Sequence, residues 1–435
     1  MTIPWPQQIL GKLLVLFLGG ILTACTGNVQ YRTDYQPCTS TSPEAACPDS
    51  AFQVVLDSQN PEQVDYLFGF VEFDDQGQLF DRQQLDHLED LLIEEGHQHN
   101  LIMVVFVHGW KHNARPGDEN IRQFRKILTK LAEAENKLAP TPRKVVGIYL
   151  GWRGQSFHLG PFTNLTFWDR KSTAHKVGHG GAVEVLARLE GLRHIEHITD
   201  PGDQGRPTRY VIVGHSFGGA LVHSALSQLL MERFIDIEAK AESPREFSDL
   251  VVLINPAFEA MRHATLFAMA DERSYFPSQR PILTVLTSEA DLATKIAFPL
   301  GRSFSTFWDK ERNSFQEAAN KTAVGHFKPF QTHYLAWEPW PEERTEGEVD
   351  VQVGAVSKNL ADISRGWQQG RPIPFPGSEL RQEGQTHALN PYLNIYVNKR
   401  IIQGHNEIYA DRLVEFLRHF ILLAMEDPDP VPAKP

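Results

Sequence analysis

Apolar residues recur along the chain in short runs that do not alternate with polar residues. The runs are rich in Val, Ile and Leu, as expected for β-strands that are buried on both faces of a sheet. The pattern predicts six such strands, at residues 101–107, 145–150, 210–213, 250–254, 282–286 and 393–397.

Segments with the spacing of amphipathic helices lie between the predicted strands. Their apolar positions are Ile121, Phe124, Ile127, Leu128 and Leu131 in one helix, Val177, Val185, Leu186 and Leu189 in a second, and Leu413, Phe416, Leu417 and Phe420 in the last. A further helix is predicted directly after Ser216. Because strands that alternate with helices form parallel sheets, we predict an α/β fold, with a mostly parallel sheet and helices on both of its faces.

Two aromatic-rich regions interrupt this alternation, at about residues 154–170 and 298–390. The second contains an acidic run at 342–350, which we interpret as a solvated loop. Two interpretations of the aromatic side chains remain open. They form a satellite core under a long insertion, or they line an apolar binding cleft.

The N-terminus has the pattern of a targeting segment. Lys12 precedes an apolar run at 13–21, which is too short to span a bilayer as a helix. The run ends in Leu22-Thr-Ala-Cys25, which resembles the lipobox of bacterial lipoproteins.

The lipobox resemblance implies that residues 1–24 are a signal peptide and that Cys25 is lipidated after cleavage. The protein would then be anchored in the bacterial cell envelope. The residue after the cysteine is Thr26 rather than Asp, which is similar to lipoproteins that are sent on to the outer membrane and face the periplasm. The alternative is an ordinary secretory signal with an incidental cysteine. Residues 25–50 are predicted to form a tether, and 427–435 a disordered tail.

The other two cysteines, Cys38 and Cys47, lie in a stretch rich in Pro, Ser and Thr. Nearby cysteines in an oxidising compartment pair more often than they stay free, so we expect a disulfide here. The alternative is that both are unpaired in the tether.

Composition narrows the choice of function. The chain has 42 Lys and Arg against 54 Asp and Glu, a formal net charge of −12. This balance argues against nucleic acid as a partner, since phosphate contacts need a basic face. The sequence has neither a Walker-type glycine loop nor a spaced Cys/His zinc signature, so it predicts no metal and no organic cofactor.

The sequence VIVGHSFGG at 211–219 places one serine, Ser216, between glycines. Gly214 and Gly218 leave room for a tight turn between a strand and a helix, which exposes the serine hydroxyl as a nucleophile. Glycine and serine also mark ordinary turns, so this motif alone is a moderate signal.

The predicted strand at 101–107 ends in His108-Gly109-Trp110. Acyl transfer passes through a tetrahedral anion, and fixed backbone N–H groups that point at its oxygen stabilise it. We predict the amides of Trp110 and Phe217 as these oxyanion donors, because Phe217 follows the nucleophile at the start of a helix. His108 is interpreted as a structural side chain that holds the loop.

The order of HGW, GHSFGG, an acid after a later strand and a late histidine resembles the α/β-hydrolase superfamily, in particular its esterase and lipase-like branches. The resemblance covers roughly residues 101–420 and implies the α/β-hydrolase fold for a domain at 51–426. It also implies a Ser-Asp-His triad.

In that family the histidine base lies in the loop after the last strand. Here that loop contains His405, which we predict to be the general base. Its rivals are His326, His333 and His387, all in the long insertion, which lacks a clear strand before them.

The family places the acid after the strand predicted at 282–286, where both Glu289 and Asp291 qualify. We favour Asp291, because a shorter carboxylate farther into the loop can turn back toward the histidine. Glu259 is a third candidate. The long separation between Asp291 and His405 requires a large insertion, which the aromatic-rich region supplies.

These residues predict a serine hydrolase that acts on carboxylic esters or lipid-like acyl groups, with no cofactor. A thioesterase, an amidase or an acyltransferase would use the same residues. A non-catalytic envelope protein that keeps the fold for binding or scaffolding is the alternative from another class.

Overall fold

The structure is a computed structural model that describes residues 27–138, 141–155, 167–195, 207–240, 247–275, 279–306, 310–339, 363, 365–367, 369–384, 386–387 and 389–425. The predicted signal peptide, Cys25, the acidic run at 342–350 and the C-terminal tail lie outside these residues.

The described residues form an α/β structure around a mixed, mostly parallel sheet of twelve strands. The strands are β1 Cys38–Ser40, β2 Phe52–Leu56, β3 Val64–Phe73, β4 Leu101–Val107, β5 Lys144–Trp152, β6 Arg209–His215, β7 Leu250–Ile254, β8 Leu283–Ser288, β9 His333–Trp337, β10 Ile373–Phe375, β11 Ser378–Gln382 and β12 Tyr392–Val397. Their order across the sheet is β1-β2-β3-β5-β4-β6-β7-β8-β12-β9-β11-β10. The eight strands from β3 to β9 in this order are parallel, so their carboxyl ends meet at one edge.

The six strands predicted from the sequence correspond to β4 to β8 and β12. Six further strands extend the sheet. β1, β2 and β3 lie at one end, and β9, β10 and β11 lie at the other. The expectation that the long insertion has no clear strand before its histidines was therefore wrong for His387, which β9, β10 and β11 precede. Strands β10 and β11 are short, and β9 mixes polar with apolar residues.

Helices cover both faces of the sheet. They are α1 Pro43–Ala46, α2 Arg82–Gln98, α3 Glu119–Leu138, α4 Phe167–His179, α5 Gly181–Gly191, α6 Phe217–Lys240, α7 Ala260–Asp271, α8 Phe298–Ser305, α9 Ser314–Lys321 and α10 Asp411–Met425. A turn of π-helix, Ala293–Ala297, leads directly into α8. Within the described ranges, every helix is too short or too polar to cross a bilayer.

Two hydrophobic cores lie on opposite sides of the sheet. Along β4, Met103 and Val105 face the core under α2, α4, α5 and α6, while Val104 and Phe106 face the core under α3 and α10. Because successive side chains of a strand point to opposite faces, a central strand must be apolar at every position. This explains why the central strands are visible in the sequence as continuous apolar runs.

The N-terminal segment packs onto the sheet instead of hanging free. β1 pairs with β2, and a disulfide joins Cys38 to Cys47. The backbone N–H groups of Tyr31 and Arg32 donate to the carboxylate of Glu72 near the carboxyl end of β3, at 2.9 and 2.8 Å. The described part of the predicted tether is therefore a folded edge of the domain.

Several aromatic side chains of the long insertion pack into a satellite core. Phe327 and Phe330 are buried against α7, in a cluster with Ala260 and Ala319. Their rings lie 4.9 Å apart in an edge-to-face arrangement. This packing supports the first of the two interpretations of the insertion for these two residues.

Candidate active site

Ser216 lies in the sharp turn between β6 and α6, at the carboxyl edge of the sheet. Its φ is +56°, a conformation that a non-glycine residue adopts only where its surroundings enforce it. The Ser216 N–H donates to the carbonyl of Ile254, and the Ser216 carbonyl accepts from Ala257 at 3.1 Å. A Cβ at Gly218 would clash with the carbonyl oxygen of Val107, which explains the glycine two positions after Ser216.

His405 bridges Ser216 and Asp291. Its Nε2 lies 2.8 Å from the Ser216 Oγ, and its Nδ1 lies 2.9 Å from the Asp291 Oδ1. A carboxylate accepts at Nδ1, so Nδ1 holds the proton and Nε2 is free to accept from the serine hydroxyl. The structure thus brings together three side chains from the ends of three different strands.

Asp291 is fully buried and accepts hydrogen bonds on both oxygens. The Thr294 N–H donates to Oδ1 at 3.1 Å, and the Thr294 hydroxyl donates to Oδ2. Burial raises the pKa of Asp291. The hydrogen bond and charge of His405, together with the hydrogen bonds from Thr294, lower this pKa by more than burial raises it, so it lies below the usual value. The group is therefore ionised at neutral pH, as the partner of an imidazolium must be.

The two other candidate acids have different partners. Glu289 accepts from the Tyr334 hydroxyl at 3.0 Å and from the Lys399 N–H at 3.1 Å. Glu259 pairs with Lys171 at 2.7 Å and with Arg262 at 2.8 Å. Neither carboxylate is the one that contacts the Nδ1 of the histidine.

The rival histidines lie elsewhere. His326 contacts the threonine that bonds to Asp291, with its Nε2 3.0 Å from the Thr294 Oγ1. Burial lowers the pKa of His326 to about 4. His333 is buried in β9 beside Thr332, and His387 is exposed in the turn before β12.

The loop that holds His405 is fixed by two residues that the sequence did not single out. The Asn255 side chain donates to the carbonyl of His405 at 3.0 Å, and His215 Nε2 donates to the same oxygen at 2.8 Å. Burial lowers the pKa of His215 to about 3, so its ring is neutral. Nothing in the local sequence predicts these contacts, since 150 and 190 positions separate the partners.

The residues predicted to carry the oxyanion donors lie close to Ser216. Phe217 is the first residue of α6, where the amide N–H has no acceptor within the helix. Gly109 is so close that a Cβ there would lie 2.8 Å from the Ser216 Cβ. The segment from Gly109 to Trp110 therefore passes directly over the serine. The Trp110 ring packs edge to face on Phe167, 5.4 Å away.

His108 holds this segment, as interpreted from the sequence. Its Nε2 accepts from the Trp152 N–H at 3.1 Å, so its Nδ1–H donates to the carbonyl of Gly109, at 2.9 Å. The ring stacks between Tyr149 and Trp152, and burial lowers its pKa to about 4. The His108 ring is neutral and fixes the position of this segment through the hydrogen bonds to Gly109 and Trp152.

The described residues contain no group of three or more His, Cys, Asp and Glu side chains arranged to hold a metal ion. The site is instead a hydrogen-bonded line from a serine through a histidine to a buried carboxylate, with backbone amides beside the serine. No family model matches the chain, and it has no significant match among curated proteins.

Proposed function

We propose that this protein is a serine hydrolase of the α/β-hydrolase superfamily that cleaves carboxylic esters through an acyl-enzyme. The observation that supports this most is the position of His405 between Ser216 and Asp291, at 2.8 and 2.9 Å. The chain order of serine, acid and histidine is that of α/β-hydrolases, and so is the placement of the serine between a strand and a helix.

In the proposed reaction, His405 Nε2 takes the proton of the Ser216 hydroxyl while the oxygen attacks the ester carbonyl. The charge on the carbonyl oxygen is stabilised by the amides of Trp110 and Phe217. The histidine then gives its proton to the leaving alcohol, and the acyl group stays on the serine. Water, activated by the same nitrogen, releases the acid and restores the serine.

We further propose that Cys25 is lipidated and that the domain is held at the surface of a bacterial envelope membrane. The disulfide between Cys38 and Cys47 supports such a location, because disulfides persist in oxidising compartments outside the cytosol.

Hydrolysis of a soluble nitrophenyl ester tests the proposed activity. The parent is expected to release a burst of nitrophenol equal to the enzyme concentration, as an acyl-enzyme forms. Ser216→Ala is expected to abolish the burst. Ser224→Ala is the matched control. Ser224 is buried like Ser216, but it lies on α6 and bonds to His175 instead of His405. Equal activity in both variants would contradict the assignment of Ser216 as the nucleophile. Inactivity of a folded parent on all acyl esters would favour a non-catalytic binding or scaffold protein.

A further inference from the structure

An exposed apolar stripe lies immediately after the buried Asp291. Leu292, Ile296 and Leu300 are 61, 52 and 60 % exposed and follow one another at four-residue spacing on the continuous helical segment from 292 into α8. Among the residues that the structure describes, only five large apolar side chains are 52 % exposed or more, and this one segment supplies three of them.

The opposite face of the same segment is firmly packed. Thr294 bonds to the catalytic acid, and Phe298 is fully buried with its ring 5.8 Å from that of Trp168. Arg302 holds the end of the segment against Glu259 at 3.1 Å. The stripe is therefore a fixed surface, and its exposure does not come from a loose helix end.

The charge of the segment differs from that of the whole chain. Residues 292–305 contain no acidic residue, in a protein whose net charge is −12, and their exposed cation is Lys295, because Arg302 is paired with Glu259 on the packed face. Apolar side chains beside basic ones are typical of helices that lie in the interface of a membrane with anionic lipids. A contiguous exposed apolar surface also indicates an interaction site in general.

The N-terminus supplies a second, independent observation. Gly27, Val29 and Tyr31 lie beside Trp152 and Arg153, around a small cavity at the carboxyl ends of β3 and β5. Gly27 is two residues after the predicted lipid attachment at Cys25, so the described chain begins at this edge. Val29, whose side chain is exposed, lies at the same cavity.

The anchor and the stripe flank the active site on the same edge of the sheet. Strands in a sheet are about 4.8 Å apart, so β3, beside the anchor, is about 14 Å from β6, which carries Ser216. The stripe begins after β8, about 10 Å from β6 on the other side. A membrane that contacts both would face the carboxyl edge of the sheet, where the serine lies.

We propose that Leu292, Ile296 and Leu300 dock onto the lipid bilayer in which the chain is anchored. The triad then faces that bilayer, and the substrates are acyl esters of membrane lipids, whose carbonyl groups lie at the interface between headgroups and acyl chains. The substrate class rests on the proposed esterase activity. The docking does not rest on that activity, but it does rest on the proposed lipid anchor at Cys25.

A fluorescent label at position 296 tests the docking without any measurement of activity. Ile296→Cys adds a thiol to a chain in which Cys38 and Cys47 are joined to each other. The full chain is purified in detergent, labelled with a nitrobenzoxadiazole dye, and reconstituted into phosphatidylethanolamine and phosphatidylglycerol vesicles. The parent, carried through the same labelling, is the blank. Lipids with a nitroxide on the acyl chain then quench only a dye that enters the bilayer.

Ile235→Cys is the matched control. Ile235 is 57 % exposed, close to the exposure of Ile296, but it lies 18 residues beyond the start of α6, about 27 Å along the helix from the active-site edge. We expect nitroxide lipids to quench the label at 296 by about half or more and to leave the label at 235 nearly unchanged. Equal quenching at both positions would overturn the proposal. A spectral shift at 296 without lipid quenching would also overturn it, since the stripe would then contact protein.

A double variant tests the substrate class separately. Ile296→Ser with Leu300→Ser is expected to lower hydrolysis of phospholipid esters in vesicles by about tenfold, with the rate on a soluble nitrophenyl ester unchanged within about twofold. Equal loss on both substrates would contradict a role in docking. If the label enters the bilayer but no ester is cleaved, docking stands and the proposed activity fails.

Discussion

Replacement of Asp291 by Asn is the perturbation whose effect follows most directly from the geometry. The amide has nearly the same shape as the carboxylate and keeps an oxygen for the His405 Nδ1–H, but it has no charge. The imidazolium formed in the transition state therefore loses an ionic partner now held at 2.9 Å, on a side chain with no solvent exposure. At about 4 Å between charge centres and an effective dielectric constant of about 20, this interaction is worth about 4 kcal/mol.

A loss of about 4 kcal/mol corresponds to a fall in kcat of about 10³-fold. The assay is hydrolysis of a soluble nitrophenyl ester at neutral pH, with thermal unfolding measured to show that the variant is folded. Glu289→Gln is the matched control, since Glu289 is the other carboxylate of this loop and bonds to Tyr334 and Lys399 instead. We expect its rate within about threefold of the parent. A folded Asp291→Asn variant that keeps more than about a tenth of the activity would refute the assignment of Asp291.

Three further predictions concern the frame of the site. Gly218→Ala places a methyl group against the carbonyl of Val107 and is expected to lower the free energy of unfolding by about 3 kcal/mol or to prevent folding; chemical denaturation checks this. Asn255→Gly tolerates the φ of +46° but removes the donor to the His405 carbonyl, so we expect kcat to fall about tenfold with a smaller change in KM. Burial raises the pKa of Glu259, but neighbouring cations lower it from 4.5 to about 2, so its ionised form stabilises the fold above pH 4.5 and this contribution is lost as the pH falls toward 2. Glu259→Gln should therefore be less stable than the parent at pH 7, on the order of 3 kcal/mol, and the difference should close between pH 4.5 and 2; a constant difference would contradict the pKa.

The central strands could be predicted from the sequence because they are covered on both faces. β4 has the sequence LIMVVFV, with every side chain buried, so its apolar run has no interruption. β11 has the sequence SELRQ at the periphery of the sheet, where only alternate positions are buried. Such a strand forms because its backbone pairs with a neighbouring strand. A short segment that is half polar has no apolar periodicity from which the strand could be predicted.

The three side chains that meet at the candidate site could be predicted because each follows a recognisable element. Ser216 is marked by its glycines, and Asp291 and His405 follow apolar strands. His215 and Asn255, in contrast, act on an atom that the fold brings to them. Asn255 binds a backbone carbonyl 150 positions away, and a carbonyl has no sequence identity for a pattern to detect. Supporting contacts of this kind become visible only when the sheet is assembled.

The proposed function requires that Ser216 is an activated nucleophile. The most direct test is to incubate the folded full chain with a fluorophosphonate and to map the adduct by peptide mass spectrometry. We expect one adduct, on the Ser216 hydroxyl, which is absent when Asp291→Asn or Ser216→Ala is treated for the same time. An adduct on another residue, or a folded parent that forms none, would contradict it.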